Sequence, residues 1–275
     1  MQIIPITTLD LPELEPYRTL RRPLEHRLQG IFVAEGERVV RRLLESNLLV
    51  RSVLFTPERL AAHRELLERK NKDIQVYIAG KKIIETIVGI NLHQGIMAVA
   101  EIPKERTLEE VLANCTPPVL LVAVDGLMNA ENLGVLVRNC AAFGVHALIV
   151  GETSSSPWLR RAVRNSMGTI FRLPVVHVDN LVEMLTELRT RYNITSIVAH
   201  PHTPGMTLET IDYTKDCCIV FGSEGEGISS SVLEACDTAA AIQMAEGVDS
   251  LNVASASAVF LYEAIRQRGK SKRKV

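Results

Sequence analysis

Two short apolar runs near the C-terminus, each followed by a glycine-containing loop, constrain the fold of this chain more than any other feature. The runs are Cys217–Phe221 and Ala239–Met244, and the loops are Gly222–Gly227 and Ala245–Ser250. Runs of this length between breakers predict buried strands, and a helical pattern follows each loop. Strands that alternate with helices predict a parallel sheet covered on both faces. A ligand is expected at the strand ends, because glycine lets bare backbone approach a flat or charged group there.

The first loop does not match the common nucleotide-binding or hydrolase motifs. Gly222, Gly225 and Gly227 have the spacing G-x-x-G-x-G, which is not the dinucleotide-binding order. No Lys-Ser or Lys-Thr pair directly follows them, and Gly269-Lys270-Ser271 in the tail lacks the upstream glycine and strand, so a P-loop is excluded. Phe221 occupies the position of the first glycine in a G-x-S-x-G nucleophile elbow, which disfavours a serine hydrolase. Two ordinary strand-to-helix turns would also explain either loop alone.

Composition bounds the class of protein. The chain has 275 residues, 47% of them apolar, which suffices for one large domain or two ordinary ones. It lacks an apolar run of about 18 residues and a basic leader, so neither a membrane span nor a targeting signal is predicted. The five cysteines lack metal-ligand spacing. We therefore expect reduced, buried thiols in a cytoplasmic protein, and no metal site.

Basic residues are unevenly distributed, although the formal net charge is only −1. Arginines are frequent in the first 42 residues, and the tail Arg266–Lys274 holds six basic residues and no acid. A third cluster consists of Arg160, Arg161, Arg164 and Arg172. A solvated surface would explain any single cluster, and contact with nucleic-acid phosphates is the alternative.

The first part of the chain predicts a small α/β/α unit without catalytic residues. Residues 1–28 show no strong pattern, and Pro103–Thr107 has the composition of a linker, so we expect domains at 1–104 and 105–275. The predicted strands are Ile31–Val33, Val50–Phe55, Ile74–Ile78 and Ile96–Ile102, and the predicted helices are Gly36–Ser46, Glu58–Lys70 and Lys81–Val88.

The second part continues the alternation of strands and helices. Val119–Val124 predicts a strand, and Glu131–Phe143 predicts a helix that Gly144 ends. By position alone, Arg138 on this helix would be a surface ion-pair partner of Glu131. Further predicted elements are the strands His146–Val150 and Ser196–Ala199 and the helices Leu181–Tyr192 and Val253–Gln267.

Three segments, in order, resemble the motifs of the SpoU/TrmH family of RNA ribose 2′-O-methyltransferases. They are Asn132-Leu133-Gly134 through Arg138, then Phe221-Gly222-Ser223-Glu224-Gly225, then Ile242-Gln243-Met244 with Ser250-Leu251-Asn252-Val253-Ala254. The resemblance implies S-adenosylmethionine as cofactor. It also implies an α/β fold whose C-terminal parallel-sheet domain contains a deep trefoil knot. The knot would be built from Ala199–Gly205, Gly222–Gly227 and Ala245–Ala254.

The resemblance also assigns roles to individual residues. Arg138 would stabilise the developing oxyanion and orient the substrate; a guanidinium stays protonated near neutral pH, so it is a poor base. His200 stands where relatives often have threonine. The catalytic set is Arg138, Asn132, Glu224, Ser250 and Asn252, and the cofactor-binding set is Ala199, Gly222, Ile242, Gln243 and Leu251.

The segments Phe32–Arg38 and His93–Ile96 resemble the L30e/L7Ae-like substrate-binding domain that many members of this family carry. This implies an RNA-docking role for the first domain, and the family implies a homodimer with the C-terminal helix at its interface. The favoured substrate is 23S ribosomal RNA. Two alternatives stay open: a transfer RNA methyltransferase, and a non-catalytic RNA-binding or ribosome-assembly protein with the same fold.

Overall fold

A computed structural model describes residues 2–70, 74–88, 95–201 and 206–272. The chain forms two compact units, one from residues 1–104 and 157–172, the other from 105–156 and 173–275. Segment 157–172 thus packs with the first unit, although the sequence suggests that it belongs to the second domain. His93 and residues 202–205 of the expected knot lie outside the described residues.

Strands and helices alternate through most of the chain. The strands are β1 (Gln2–Ile6), β2 (Ile31–Glu35), β3 (Val50–Phe55), β4 (Gln75–Ala79), β5 (Ile96–Glu101), β6 (Leu120–Val124), β7 (Ala147–Val150), β8 (Val175–His177), β9 (Thr195–Ala199), β10 (Cys217–Phe221) and β11 (Thr238–Ala240). The helices are α1 (Glu15–Arg18), α2 (Pro23–Leu28), α3 (Glu37–Glu45), α4 (Pro57–Lys70), α5 (Lys81–Val88), α6 (Leu108–Leu112), α7 (Ala130–Ala142), α8 (Arg160–Asn165), α9 (Leu181–Tyr192), α10 (Ser230–Ala235) and α11 (Val253–Lys272).

The first unit contains a mixed five-stranded sheet in the order β1-β4-β3-β5-β2. β1 and β3 run parallel to β4, while β5 runs antiparallel to both β2 and β3. The sequence did not predict β1, which contains Pro5. Because β1 is the edge strand, the missing amide of this proline is tolerated there.

The second unit contains a six-stranded, all-parallel sheet in the order β11-β9-β10-β6-β7-β8. Every residue of the neighbouring strands β6 and β10 is buried, which explains why both segments are continuously apolar. α11 packs against α7 and β10. The parallel sheet predicted for this part is confirmed.

Most predicted elements have the observed bounds within one or two residues, but the strand predicted over Ala239–Met244 is wrong beyond Ala240. Ala241 donates its amide to the carbonyl of Met206 and accepts the amide of Leu208. The backbone therefore leaves the sheet after Ala240. Ile242 and Met244, two apolar residues of the segment that was predicted to be a strand, instead line the cavity described below.

The last helix extends to Lys272, five residues past the predicted end, and its basic residues are not all on the surface. Arg268 is buried and donates to four backbone carbonyls, those of Pro118 (2.6 Å), Val119 (2.9 Å), Tyr213 (2.8 Å) and Lys215 (2.8 Å). For this residue a solvated surface is the wrong interpretation. Its guanidinium fastens the end of α11 to the segments before β6 and β10.

The prediction of buried thiols is confirmed for three of the five cysteines. Cys140, Cys217 and Cys218 are buried, Cys115 and Cys236 are partly buried, and all five thiols are free. Burial raises the pKa of Cys217 to about 11 although the Arg268 guanidinium opposes the shift, so the thiol stays neutral. Among the described residues, no cluster of His, Cys, Asp and Glu could hold a metal ion. The described helices are all too short or too polar to cross a bilayer.

We predict that Arg268→Met lowers the free energy of unfolding by roughly 3 kcal/mol, because it removes the guanidinium that donates to the carbonyls of Pro118, Tyr213 and Lys215. Urea unfolding followed by circular dichroism measures the change. Arg191→Met is the matched control: this arginine pairs with Glu109 and Glu187 on the surface, so its loss should cost less than about 1 kcal/mol. Equal effects of the two variants would contradict the anchoring role.

Candidate active site

A cavity of about 340 Å³ lies at the carboxyl ends of β9, β10 and β11. Its walls come from Ala199–Pro201, Phe221–Ile228, the segment 240–251 and the beginning of α11. These are the strand ends at which the sequence predicted a ligand. The volume lies within the range of roughly 300–1,000 Å³ that is typical of small-molecule sites.

The loop after β10 closes on itself at Gly222. Ser223 donates its amide to the carbonyl of Gly227 at 2.9 Å, and Gly227 has a positive φ of 72°. A Cβ on Gly222 would overlap the carbonyl of Gly227 and come within 2.6 Å of the amide nitrogen of Ile228. A Cβ on Gly225 would have nothing within 4 Å. Gly222, but not Gly225, is therefore required for the loop to close.

Three polar side chains from the three sequence motifs meet beside this loop. The Asn132 Nδ2 group donates to the Glu224 carboxylate. Asn252 Nδ2 in turn donates to Asn132 Oδ1 at 3.3 Å. The structure thus brings together side chains that are up to 120 positions apart. We refer to them as the Asn132–Glu224–Asn252 chain.

Helix capping holds two members of this chain in place. Asn129 Oδ1 accepts the amides of Glu131 and Asn132, at 2.9 and 3.3 Å, and so caps α7. Asn252 Oδ1 accepts the amide of Ala254 at 2.9 Å and serves the same purpose for α11. Asn132 and Asn252 are therefore held at the N-termini of two packed helices.

Most of the remaining predicted site residues also lie at the cavity. Ser250 and Glu224 of the catalytic set line it, as do Ala199, Gly222, Ile242 and Leu251 of the cofactor-binding set. Gln243 is exposed and does not line the cavity. His200, left undecided by the sequence, is one of the lining residues.

Arg138 is placed differently from the rest of the set. It lies on α7 six residues after Asn132, which puts it about 120° around the helix. Its side chain is exposed and does not line the cavity. It makes no hydrogen bond or ion pair with any residue that the structure describes, so the ion pair with Glu131 suggested by position alone is not formed.

The apolar floor of the cavity and one of its acidic residues were not predicted from the sequence. Phe260 packs edge-on against Phe221, with ring centroids 5.7 Å apart. It lies on the same face of α11 as Val253 and Ala256, and this helical spacing could have indicated it. Asp249 also lines the cavity, next to Ser250, and no local pattern distinguishes it.

Comparison with known protein families identifies the family to which the chain belongs. The model described as the SpoU rRNA Methylase family matches residues 119–262, which include the whole cavity. The chain belongs to the SpoU rRNA methylase family. A second model, described as RNA 2′-O ribose methyltransferase substrate binding, matches residues 33–106. The chain is accordingly an RNA ribose 2′-O-methyltransferase whose substrate is RNA.

Individual relatives resemble the chain over most of its length. A 23S rRNA (guanosine-2′-O-)-methyltransferase RlmB of Haemophilus influenzae is 33% identical over 80% of this chain and 95% of its own. An uncharacterized tRNA/rRNA methyltransferase of Mycobacterium bovis is 30% identical over 94% and 90%, respectively. The SpoU methyltransferase AviRb from Streptomyces viridochromogenes, solved with the cofactor AdoMet, superposes with a TM-score of 0.81 at 26% identity, over 94% of this chain and 98% of that one. The α/β fold with a C-terminal trefoil knot, implied by the resemblance, is confirmed.

The cofactor of this SpoU methyltransferase is S-adenosylmethionine, and the cavity suits it. Its apolar lining, with Ile242, Leu251 and Phe260, can enclose a flat adenine ring. Glu224, Glu226 and Asp249 are among the lining residues, and acidic residues suit a ligand that carries a sulfonium and an ammonium. Among the described residues that line the cavity there is no Lys or Arg, so its charge is complementary to that of the methyl donor.

We predict that Gly222→Ala weakens binding of S-adenosylmethionine at least tenfold, because the added methyl group forces the loop open. Isothermal titration calorimetry measures the dissociation constant. Gly225→Ala adds the same methyl group where there is room, so its dissociation constant should stay within about threefold of the wild type. Wild-type affinity of Gly222→Ala would show that loop closure does not govern cofactor binding.

Proposed function

We propose that this enzyme methylates a ribose 2′-hydroxyl in 23S ribosomal RNA. The observation that carries the proposal is that one polypeptide contains both the substrate-binding region and the complete Asn132–Glu224–Asn252 chain of hydrogen bonds. Relatives named as 23S rRNA methyltransferases align over 71–80% of this chain. On this proposal residues 1–104 dock RNA, residues 105–275 carry out methylation, and the enzyme acts in the cytoplasm.

Catalysis by the chain's own residues consists mainly of alignment and charge stabilisation. When bound, the cofactor supplies an electrophilic methyl group on a sulfonium. Glu224, held by Asn132, and Asn252 form a fixed polar edge against which the ribose can be oriented. Alignment of this kind can lower a barrier by on the order of 7–11 kcal/mol. Ser250 lies on the same cavity wall and can donate its hydroxyl to the ribose or the cofactor.

Arg138 supplies the cation in this proposal. A 2′-hydroxyl becomes a competent nucleophile as its proton passes to an RNA phosphate or to water, and a guanidinium beside it stabilises the developing negative charge. The same group can hold the adjacent phosphate through two parallel hydrogen bonds. Because Arg138 makes no bond with the described residues, its donors are available to RNA.

A homodimer would bring Arg138 of each subunit to the cavity of the other subunit. Within one chain Arg138 does not line the cavity, so we propose that the partner subunit's Arg138 completes each site. Support comes from an exposed apolar stripe on α11, which packs against α7. Its members are Val259, Tyr262 and Ile265, with 37%, 60% and 37% of their surface exposed. Apolar side chains at this helical spacing suit a helix that packs against a second copy of itself.

The proposed sharing of sites can be tested by complementation. We predict that Arg138→Ala and Glu224→Ala are each inactive, and that co-expressing them restores about a quarter of the wild-type activity. Half of the dimers would be mixed, and each mixed dimer would contain one intact site out of two. Methyl transfer from radiolabelled S-adenosylmethionine measures the activity. If co-expression restored no activity, Arg138 would act at the cavity of its own chain. If Arg138→Ala alone were fully active, Arg138 would have no part in the mechanism.

The proposed substrate can be tested separately. We predict that in vitro transcribed 23S ribosomal RNA accepts one methyl group per molecule, whereas a pool of unmodified transfer RNA transcripts accepts at least tenfold less under the same conditions. Mass spectrometry of nuclease fragments locates the methylated ribose. Efficient methylation of the transfer RNA pool alone would favour that alternative. Methylation of neither RNA would contradict the proposed substrate class.

A further inference from the structure

The segment 157–172 has a composition unlike the rest of the second half of the chain. Its sixteen residues include four arginines and no lysine, aspartate or glutamate. It lies outside the region that matches the substrate-binding model, yet it packs as part of the first unit. We call it the arginine arm.

The arginine arm is firmly anchored to β2. Trp158 and Phe171, near its two ends, both pack against Phe32, with ring centroids 5.1 and 5.6 Å apart. Between them, Arg160 forms an ion pair with Glu35, whose side chain is fully buried. Residues held by aromatic packing and a buried ion pair lose little further freedom when they bind a ligand, which favours affinity.

Other arginines of the arm remain on the surface. Arg161 and Arg172 are exposed. Arg164 keeps 44% of its side-chain surface exposed although its Nη1 lies 3.6 Å from Glu35. The arm itself contains no acidic residue, and the buried carboxylate of Glu35 is directed at Arg160 and Arg164.

Helix α3 extends this basic surface. Arg42 Nη1 donates to the carbonyl of Met167 in the arm at 2.7 Å, and the side chain of Arg42 lies against Gly168. Arg38 lies one turn earlier on the same face of α3 and is exposed. α3 and the arm therefore present a joint face, which we call the arginine face, formed by Arg38, Arg42, Arg161, Arg164 and Arg172.

We propose that the arginine face binds phosphates of the RNA substrate, so that part of the RNA-docking surface comes from outside residues 33–106. Guanidinium groups bind phosphates through paired hydrogen bonds and are more weakly hydrated than ammonium groups. A polyanion complements a face built from arginines alone. This inference rests on the proposed function only in taking RNA as the ligand, and it does not depend on which nucleotide is methylated.

The test compares two double variants of the full chain. R161Q/R172Q removes two charges from the arm, and R51Q/R69Q removes two exposed arginines that pair with Glu101 and Glu65 elsewhere in the first unit. Filter binding to in vitro transcribed 23S ribosomal RNA is measured from low to moderate salt. We expect R161Q/R172Q to weaken binding about tenfold or more and to reduce the slope of log K against log salt by about 1.4 to 1.8.

The control R51Q/R69Q should leave both quantities near the wild-type values. Calorimetric binding of S-adenosylmethionine and the thermal midpoint should be unchanged in both variants, which separates this inference from the proposed cofactor site. Wild-type RNA affinity and salt slope of R161Q/R172Q would overturn the proposal, and so would equal losses in the control.

A measurement on the wild-type protein tests the same contacts without substitutions that could disturb the local structure. Phenylglyoxal modifies accessible arginines, and mass spectrometry reads the extent at each position. We expect 23S ribosomal RNA to protect Arg38, Arg161 and Arg172 but not Arg51 or Arg69. Modification of Arg161 and Arg172 at the same rate with and without RNA would overturn the proposal.

Discussion

The close approach of Gly222 to Gly227 is the contact on which the site depends. Only a residue without a Cβ permits it, because a methyl group at position 222 would overlap the opposite backbone. The contact turns the chain sharply at the end of β10, in the middle of the parallel sheet. Glu224 at the tip of the loop is thereby brought to Asn132 on α7. A steric limit on one residue thus determines where the Glu224 carboxylate lies.

The last helix holds the other wall of the cavity against this loop. Asn139 of α7 donates to the carbonyl of Ala254 at 2.8 Å and to Ser257 Oγ at 3.0 Å, near the start of α11. Arg268 fixes the opposite end through backbone carbonyls. The irregular segment 241–252 must therefore pass between β11 and a helix that is fastened at both ends. Apart from Ala241, which pairs with Thr207, this segment belongs to none of the described strands.

Local patterns predicted the parts of this structure that local physics controls. Continuous apolar runs predicted β6 and β10, and glycines marked the loops. Family resemblance, rather than periodicity, predicted that Asn132, Glu224 and Asn252 would meet. Contacts between distant segments were not visible: the packing of Trp158 on Phe32, the burial of Arg268 and the pairing of β1 each depend on residues more than 60 positions away. The sequence also did not predict that Arg138 would lie away from the cavity of its own chain. Which face of α7 meets the cavity depends on the elements that pack against α7, and local spacing does not show them.

Amide hydrogen exchange of the full chain, with and without S-adenosylmethionine, shows whether the glycine-closed loop and the segment before α11 together enclose the methyl donor. We expect the cofactor to slow exchange at residues 222–228 and 242–252 and to leave the strands of the first unit unaffected. Unchanged exchange in both segments at saturating cofactor, or slowing confined to the first unit, would contradict this enclosure.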